Sequence, residues 1–405
     1  MENLTLEQMK QKMMMFKPLR IGIMGYNGPD AIDPTWHGAP SRPMVMAIEE
    51  GIANGMVPRN IEFVCISEAN LPQGSWDGTI KAYDYLVEQG CALIVGSHSQ
   101  DNLASHLEHM ERMDRSGVHQ PVPVISWSAG GANKWLFRLG NGECGSEMTM
   151  LCHWVKKHGY NKIGVIIETV NPEHEDCYRS LLYETRKMGI EITKLEFIPH
   201  VPVNVVESIR RVRDSNPEVF MYCGCGMNFM QRHISTALNE LGWEPQAKIC
   251  TSAFMYYPVD TKSFEGWVGT DQMCLENPLF FDFRQRYFDR YGAELGLESV
   301  DSGWCDGLYC LSYDTGQVIR EALFRAPSLT PDGIRQGLER IRWVPAVTGG
   351  PGNFLAAYPG EHNLFNGEYL VLGTIKDGKL AYEGKIDAEH FDVPALPGPN
   401  TKKWV

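Results

Sequence analysis

No stretch of the 405 residues approaches the roughly 18 consecutive apolar positions of a membrane-crossing helix, so membrane insertion is not expected. Basic residues are in deficit: 37 Lys and Arg against 50 Asp and Glu leave a net charge of −13. A phosphate backbone recruits clustered Lys and Arg, so direct nucleic-acid binding is not expected either. Familiar chemical signatures are missing. There is no G-x-S-x-G elbow, no H-E-x-x-H and no G-x-x-x-x-G-K-[ST], and no G-x-G-x-x-G opens the first expected helix. Met1–Phe16 lacks the marks of a secretory signal: Glu2 and Glu7 are acidic, and it has neither a continuous apolar core nor a small-residue cleavage site. The 11 cysteines are odd in number and scattered, as befits free or buried thiols of a reducing compartment. The expected location is therefore the cytoplasm, or the periplasm if a leader has been removed.

What is present is a globular balance, 43% hydrophobic and 21% charged, in a chain long enough for two lobes or two to three domains. Thr5 followed by Gln8 is a capping-box pattern for a short N-terminal helix. Beyond it, apolar runs such as Leu19–Gly25, Ile61–Ile66, Cys91–Val95 and Pro121–Ser126 alternate with segments of helical spacing such as Trp76–Gln89. After a break near Leu139–Gly145 the alternation resumes, with strands at Lys162–Ile167, Ile190–Ile198, Val219–Tyr222 and Lys248–Thr251. Such alternation predicts parallel sheets covered on both faces. Three more helices are expected within 280–342, and Asp377-Gly378 marks a terminal hairpin. The tail from Asp387, with Pro394, Pro397 and Pro399, reads as an extended strap or loose end.

Four segments carry a resemblance in chain order: LRIGIMGYNGP at Leu19–Pro29, ALIVGSHSQDN at Ala92–Asn102, PVPVISWSAGGA at Pro121–Ala132, and Thr348–Gly384 with its Gly-Pro-x-x-Phe turn and closing hairpin. Together they resemble the type I periplasmic-binding-protein fold, in its leucine/isoleucine/valine-binding branch, the substrate-binding proteins of branched-chain amino acid ABC transporters. The resemblance implies an α/β protein with two doubly wound parallel-sheet lobes joined by three hinge crossings, near Arg138–Gly142, Thr270–Cys274 and Val344–Gly349. The division expected is an N-terminal extension at 1–17, lobe 1 at 18–140 plus 272–345, lobe 2 at 141–271 plus 346–386, and a Pro-rich tail at 387–405. A ligand would lie between the lobes, where open parallel sheets bind ligands in any case.

The candidate ligand-binding residues follow the strand ends. Ser97, His98 and Ser99 open a helix whose free N–H groups suit a carboxylate; the plain alternative is an ordinary N-cap. Trp127, Ser128 and Ala129 occupy the next strand-to-helix loop, Trp127 being either a ligand wall or a core residue. Tyr26, Trp36 and His37 sit in a long aromatic loop. Glu168, Asn171 and His174 follow the first strand of the second lobe, Glu168 being the acid able to answer a ligand cation. Cys223, Gly224 and Cys225 are read as small residues lining the cleft, not as a metal or redox pair. Phe254 and Tyr256 follow a strand where amino-acid binders carry an acid; its absence here favours a neutral or carboxylate ligand with an apolar body.

The leading expectation is a solute-binding protein that closes two lobes on a carboxylate, amide or aromatic metabolite, as an ABC-transporter substrate-binding protein does. A cytoplasmic ligand sensor of the same fold, resembling the amidase-operon regulators, is the alternative. An enzyme pairing His37 or His98 with Ser99, Ser128 or Cys225 ranks lower, because no spacing supports it. The expected partner is a small organic ligand, with an ABC permease or a regulatory protein beyond it; a homodimer stays open. No cofactor and no metal are expected.

Overall fold

The computed structural model describes residues 5, 8, 16–25, 41–67, 76–96, 100–118, 120–127, 133–140, 144–169, 173–199, 204–224, 230–251, 265–301, 307–366 and 370–384. At the start, the capping box closes reciprocally: the Thr5 N–H donates to Gln8 Oε1 at 2.9 Å and the Gln8 N–H to Thr5 Oγ1 at 3.2 Å.

Strands β1 (Leu19–Gly25), β2 (Ile61–Ser67), β3 (Leu93–Val95), β4 (Val124–Ser126) and β5 (Leu136–Arg138) form a parallel five-stranded sheet in the order β2-β1-β3-β4-β5. Helices α1 (Arg42–Ala53), α2 (Trp76–Glu88) and α3 (Gln100–Ser116) connect them. The strands are apolar on both faces because both faces are covered. Ile21, Ile23, Leu93, Val95 and Ile125 pack on the α1 side, while Met24, Ile94 and Val124 meet Tyr83, Leu86 and Met110 of α2 and α3.

Helix α4 (Cys144–Lys157) leads to the second sheet, β6 (Lys162–Thr169), β7 (Glu191–Pro199), β8 (Val219–Cys223), β9 (Ala247–Cys250) and β10 (Trp267–Asp271). Helices α5 (Glu173–Met188), α6 (Val206–Asp214) and α7 (Met230–Glu240) join its strands. Alternation again divides the side chains. Val219, Met221 and Cys223 face Leu151, Val155 and Leu181 of α4 and α5; Phe220 and Tyr222 face Ile209 and Ile234 of α6 and α7.

The chain then returns to the first lobe. Helix α8 (Pro278–Leu295) starts at Asn277, whose side chain accepts from the Leu279 N–H, and stops at Gly296 in the left-handed conformation, φ 66°. Helices α9 (Gly307–Arg325) and α10 (Pro331–Leu338) bring Leu311, Val318, Ile319 and Ile334 into the cluster under β1. A small antiparallel sheet follows: β11 (Val344–Pro345), β12 (Phe354–Leu355) and β13 (Phe365–Asn366). Finally β14 (Val371–Lys376) and β15 (Lys379–Gly384) extend the second sheet antiparallel to β10, giving β15-β14-β10-β9-β8-β6-β7. Their turn is the expected one: Asp377 (φ 53°) and Gly378 (φ 69°) reverse the chain, and the Glu265 carboxylate accepts both their N–H groups at 2.9 and 3.0 Å.

One expected boundary needs correction. The resemblance implies that residues 346–366 belong to the second lobe, with a crossing at Val344–Gly349. Instead Ala346, Leu355, Ala357, Leu364 and Phe365 are buried in the core under β1–β5. The Arg138 N–H donates to the His362 carbonyl and the Leu364 N–H to the Arg138 carbonyl, both at 2.8 Å, so this segment borders β5. The chain therefore joins the second sheet between Asn366 and Val371. No helix among the described residues is long and apolar enough to cross a membrane.

A candidate ligand cleft at the strand ends

The two sheets are joined at their carboxyl edges. The link into α4 leaves the end of β5, and the return to the first lobe leaves the end of β10 at Asp271. Val371, the register partner of Asp271, brings β14 in at the same edge. The carboxyl ends of the strands are the usual ligand position in open parallel sheets.

A buried polar buckle ties these links together. Gln272 donates from Nε2 to the Gly140 carbonyl at 2.9 Å, and its own carbonyl accepts from the Gly349 N–H at 2.6 Å. Asn277 donates from Nδ2 to the carbonyls of Ala346 and Val347, each at 3.1 Å, and of Gly349 at 3.0 Å. Asp314 accepts the Val347 and Thr348 N–H groups at 3.1 and 2.9 Å. Loop 346–349 is therefore a clasp on the crossings rather than one of them. Asp271 Oδ1 accepts the Gln272 N–H at 2.5 Å and the Met273 N–H at 3.3 Å. Burial pushes its pKa up to about 6, against the opposing pull of those two donors.

In the first lobe, Gly96 ends β3 with φ 102°, and a Cβ there would collide with the Met24 carbonyl of β1. Only glycine lets the chain turn this close to its neighbouring strand. Ser126 accepts the Leu139 N–H through its carbonyl at 2.9 Å, joining β4 to the start of the crossing. Trp127 is 6% exposed and packs in the first core cluster. Its indole N–H donates to Thr315 Oγ1 of α9 at 2.8 Å. Of its two sequence readings, this is the core placement. Tyr26, Trp36, His37, Ser97, His98, Ser99, Ser128 and Ala129 lie outside the described residues.

In the second lobe, Glu168 near the end of β6 is 2% exposed. Its Oε2 accepts from the Tyr222 hydroxyl, two strands' ends meeting at 2.9 Å. Gly224, just past β8, lies directly against this pair: a Cβ there would strike both the Tyr222 hydroxyl and Glu168 Oε2. The Thr251 hydroxyl, just past β9, accepts the Gly224 N–H at 2.9 Å and donates to the Gly224 carbonyl at 2.7 Å. The result is a rigid polar node spanning the ends of β6, β8 and β9.

Cys223 departs from the expected cleft lining. Its side chain is 1% exposed and its thiol donates to the Met148 sulfur at 3.9 Å inside the core. Strand parity is the reason, since Val219, Met221 and Cys223 all point to the α4–α5 face. Asn171, Cys225, Phe254, Tyr256 and the side chain of His174 lie outside the described residues. Among the described residues no three His, Cys, Asp or Glu side chains gather as a metal site. Sequence reading missed Tyr222 and Thr251, and their available signal was position alone: each is a polar group at the end of an apolar strand.

This arrangement defines the class: the chain has the type I periplasmic-binding-protein fold. Similar solved structures include a leucine-binding protein of Thermotoga maritima, at 13% identity and TM-score 0.68, covering 90% of this chain and 98% of that one. The branched-chain amino acid transporter substrate-binding protein of Streptococcus pneumoniae, solved with isoleucine, is similar at 14% identity and TM-score 0.68, with 90% and 98% covered. A solute-binding protein of an R. palustris ABC transporter, solved with 4-hydroxybenzoate, is similar at 15% identity and TM-score 0.68, with 91% and 96% covered. No protein-family model and no curated protein matches the sequence.

Proposed function

We propose that this protein binds a small organic metabolite between its lobes, as the substrate-binding component of an ABC-type importer. The observation that carries the reading is the Glu168–Tyr222–Gly224–Thr251 node at the carboxyl edge of the second sheet. It fixes polar groups of three strands at the place where this fold takes ligands. In this reading the first lobe holds an acidic or amide group of the ligand through Ser97, His98 and Ser99 at the entry to α3, and through Ser128 and Ala129 after β4. Tyr26, Trp36, His37, Phe254 and Tyr256 cover its body. Glu168, Asn171, His174 and the backbone of Gly224 and Cys225 face it from the second lobe. Trp127 acts as the support of its loop. The solved relatives carry branched-chain amino acids and benzoates, which supports a carboxylate with an apolar or aromatic body.

The test begins with native mass spectrometry of freshly purified protein, to find any co-purified small molecule. A thermal-shift screen over aliphatic amino acids, their amides and aromatic acids follows, because a bound ligand raises apparent stability. A carboxylate whose thermal shift disappears in Glu168→Ala, and which compacts the protein in small-angle scattering, supports the reading. Turnover of the ligand on incubation would replace it with an enzyme. A second reading, a cytoplasmic sensor, draws on the odd and scattered set of 11 cysteines in the sequence, a usage that suits a reducing compartment. Ligand-dependent association with a regulatory protein, and none with a permease, would select it.

A further inference from the structure

The three-stranded sheet carries an exposed aromatic row that the ligand cleft does not use. Trp343 is 68% exposed, yet its backbone sits in the left-handed region at φ 56°. A bulky residue is held there against steric preference, which marks a position fixed by its surroundings. The Trp343 ring stacks on Phe354 at 4.3 Å and 27°. Next to it, the Arg342 guanidinium lies 4.0 Å over the ring of Tyr358, which is 38% exposed. Arg342 donates to the carbonyls of Glu339 and Ile341, each at 2.7 Å, and of Ala357. Arg340 donates to the Arg325 carbonyl at 3.3 Å. Among the described residues neither Arg340 nor Arg342 meets a carboxylate, in a chain whose net charge is −13.

Trp, Tyr and Arg are the residues that dominate interface hot spots. Rows of aromatic rings are what proline-rich extended segments dock on, because a polyproline helix is preformed and carries no internal hydrogen bonds. This chain contains such a segment. After β15 the sequence runs Asp387, Glu389 and Asp392, then Pro394, Pro397 and Pro399, acids first and prolines after. Its reach is sufficient. Gly384, the last residue of β15, is the register partner of Leu372; Asn366, a few residues before Leu372, is the partner of Phe354. At no more than about 3.5 Å per residue, this places the aromatic row within roughly 30 Å of Gly384. An extended tail rising about 3.1 Å per residue covers that span by Pro394 and exceeds it by Pro399.

We propose that Trp343, Phe354 and Tyr358 form the docking face for this chain's own segment Asp387–Pro399. The prolines lie on the rings, and the acids approach Arg340 and Arg342. The contact is intramolecular, and it stands independently of what the cleft binds.

The test is limited chymotryptic digestion of the full chain, with cleavage at the Phe391–Asp392 bond followed by mass spectrometry. The wild-type tail resists cutting. Trp343→Ala accelerates the cut about tenfold, the loss expected for one anchoring ring. Pro394→Ser combined with Pro399→Ser, which leaves Leu396–Pro397 uncleavable, does the same at Phe391 without touching the lobes, so the question remains decidable if Trp343→Ala fails to fold. Protection is the same across a wide range of protein concentration. Equal cutting rates in wild type and both variants overturn the proposal. Protection that grows with protein concentration also overturns it, by making a second copy the occupant.

Discussion

The indole N–H of Trp127 donates to the hydroxyl of Thr315 at 2.8 Å, and Thr315 in turn donates to the Leu311 carbonyl at 2.8 Å. Trp127, the residue just past β4, is thereby pinned to α9, a helix from the far end of the chain. Thr315→Val keeps the shape and removes that acceptor. It is expected to cost about 1–3 kcal/mol, the penalty for a buried donor left without its partner. Urea unfolding checks this. A lower midpoint at unchanged slope is the expected result, and an unchanged midpoint would show that the bond contributes nothing.

That partnership illustrates what the sequence displayed and what it concealed. The α/β alternation was legible because the central strands of the two sheets are apolar runs, as at Leu19–Gly25 and Val219–Cys223. The inward direction of Cys223 was also legible in principle, since it shares parity with Val219 and Met221. Helix α4 went unread although Met148, Leu151, Cys152 and Val155 have helical spacing and are buried; Cys144 and Gly145 at its start disguise it. Strand β5 and the strands of the small sheet have two or three residues each. Pairing with distant segments defines them, and no local period can announce that. The same holds for residues 346–366: their apolar positions signal burial, but not in which core.

Gly224 has no room for a side chain, because the Glu168–Tyr222 pair occupies the space. Gly224→Ala is expected to force that pair apart and to weaken ligand binding at least tenfold, while Thr251 still holds the loop through its two bonds. Tyr222→Phe is the milder companion: it removes one donor to a buried carboxylate, at about 1–3 kcal/mol of stability. Calorimetric titration of the ligand found by screening reads both. Full affinity in Gly224→Ala would remove the node from the ligand site.

His106 is wholly buried, and among the described residues neither ring nitrogen has a hydrogen-bond partner. Its ring stands edge-on to Tyr83 at 4.4 Å. Burial, with a smaller push from His109, lowers its pKa to about 3. The folded protein therefore binds this proton less readily than the unfolded chain does. Stability is lost from this site as pH falls from about 6.5, the unperturbed histidine value, towards about 3. His106→Phe retains an apolar ring of similar size and has nothing to protonate. Its stability relative to wild type is expected to rise on acidification from pH 7 to pH 5, read by denaturant unfolding at both values. A difference that stays constant with pH would contradict a buried, neutral imidazole.

Asp271 makes the opposite prediction at the crossing. Its pKa is raised from 3.8 to about 6 by burial, so the folded state holds this proton more tightly than the unfolded chain. The site's contribution is fully present below about pH 4 and is lost as pH rises through about 6. Asp271→Asn keeps a side-chain oxygen for the Gln272 and Met273 N–H groups and carries no charge at any pH. At pH 7 the variant should exceed wild type by roughly 1–3 kcal/mol, the scale of a shift of this size; at pH 4 the two should coincide. The comparison with His106→Phe isolates the mechanism, because acidification closes the gap between Asp271→Asn and wild type but widens the one for His106→Phe. A variant less stable than wild type at pH 7 would mean that the ionised carboxylate is favourable at the hinge, through the strength of its two backbone bonds.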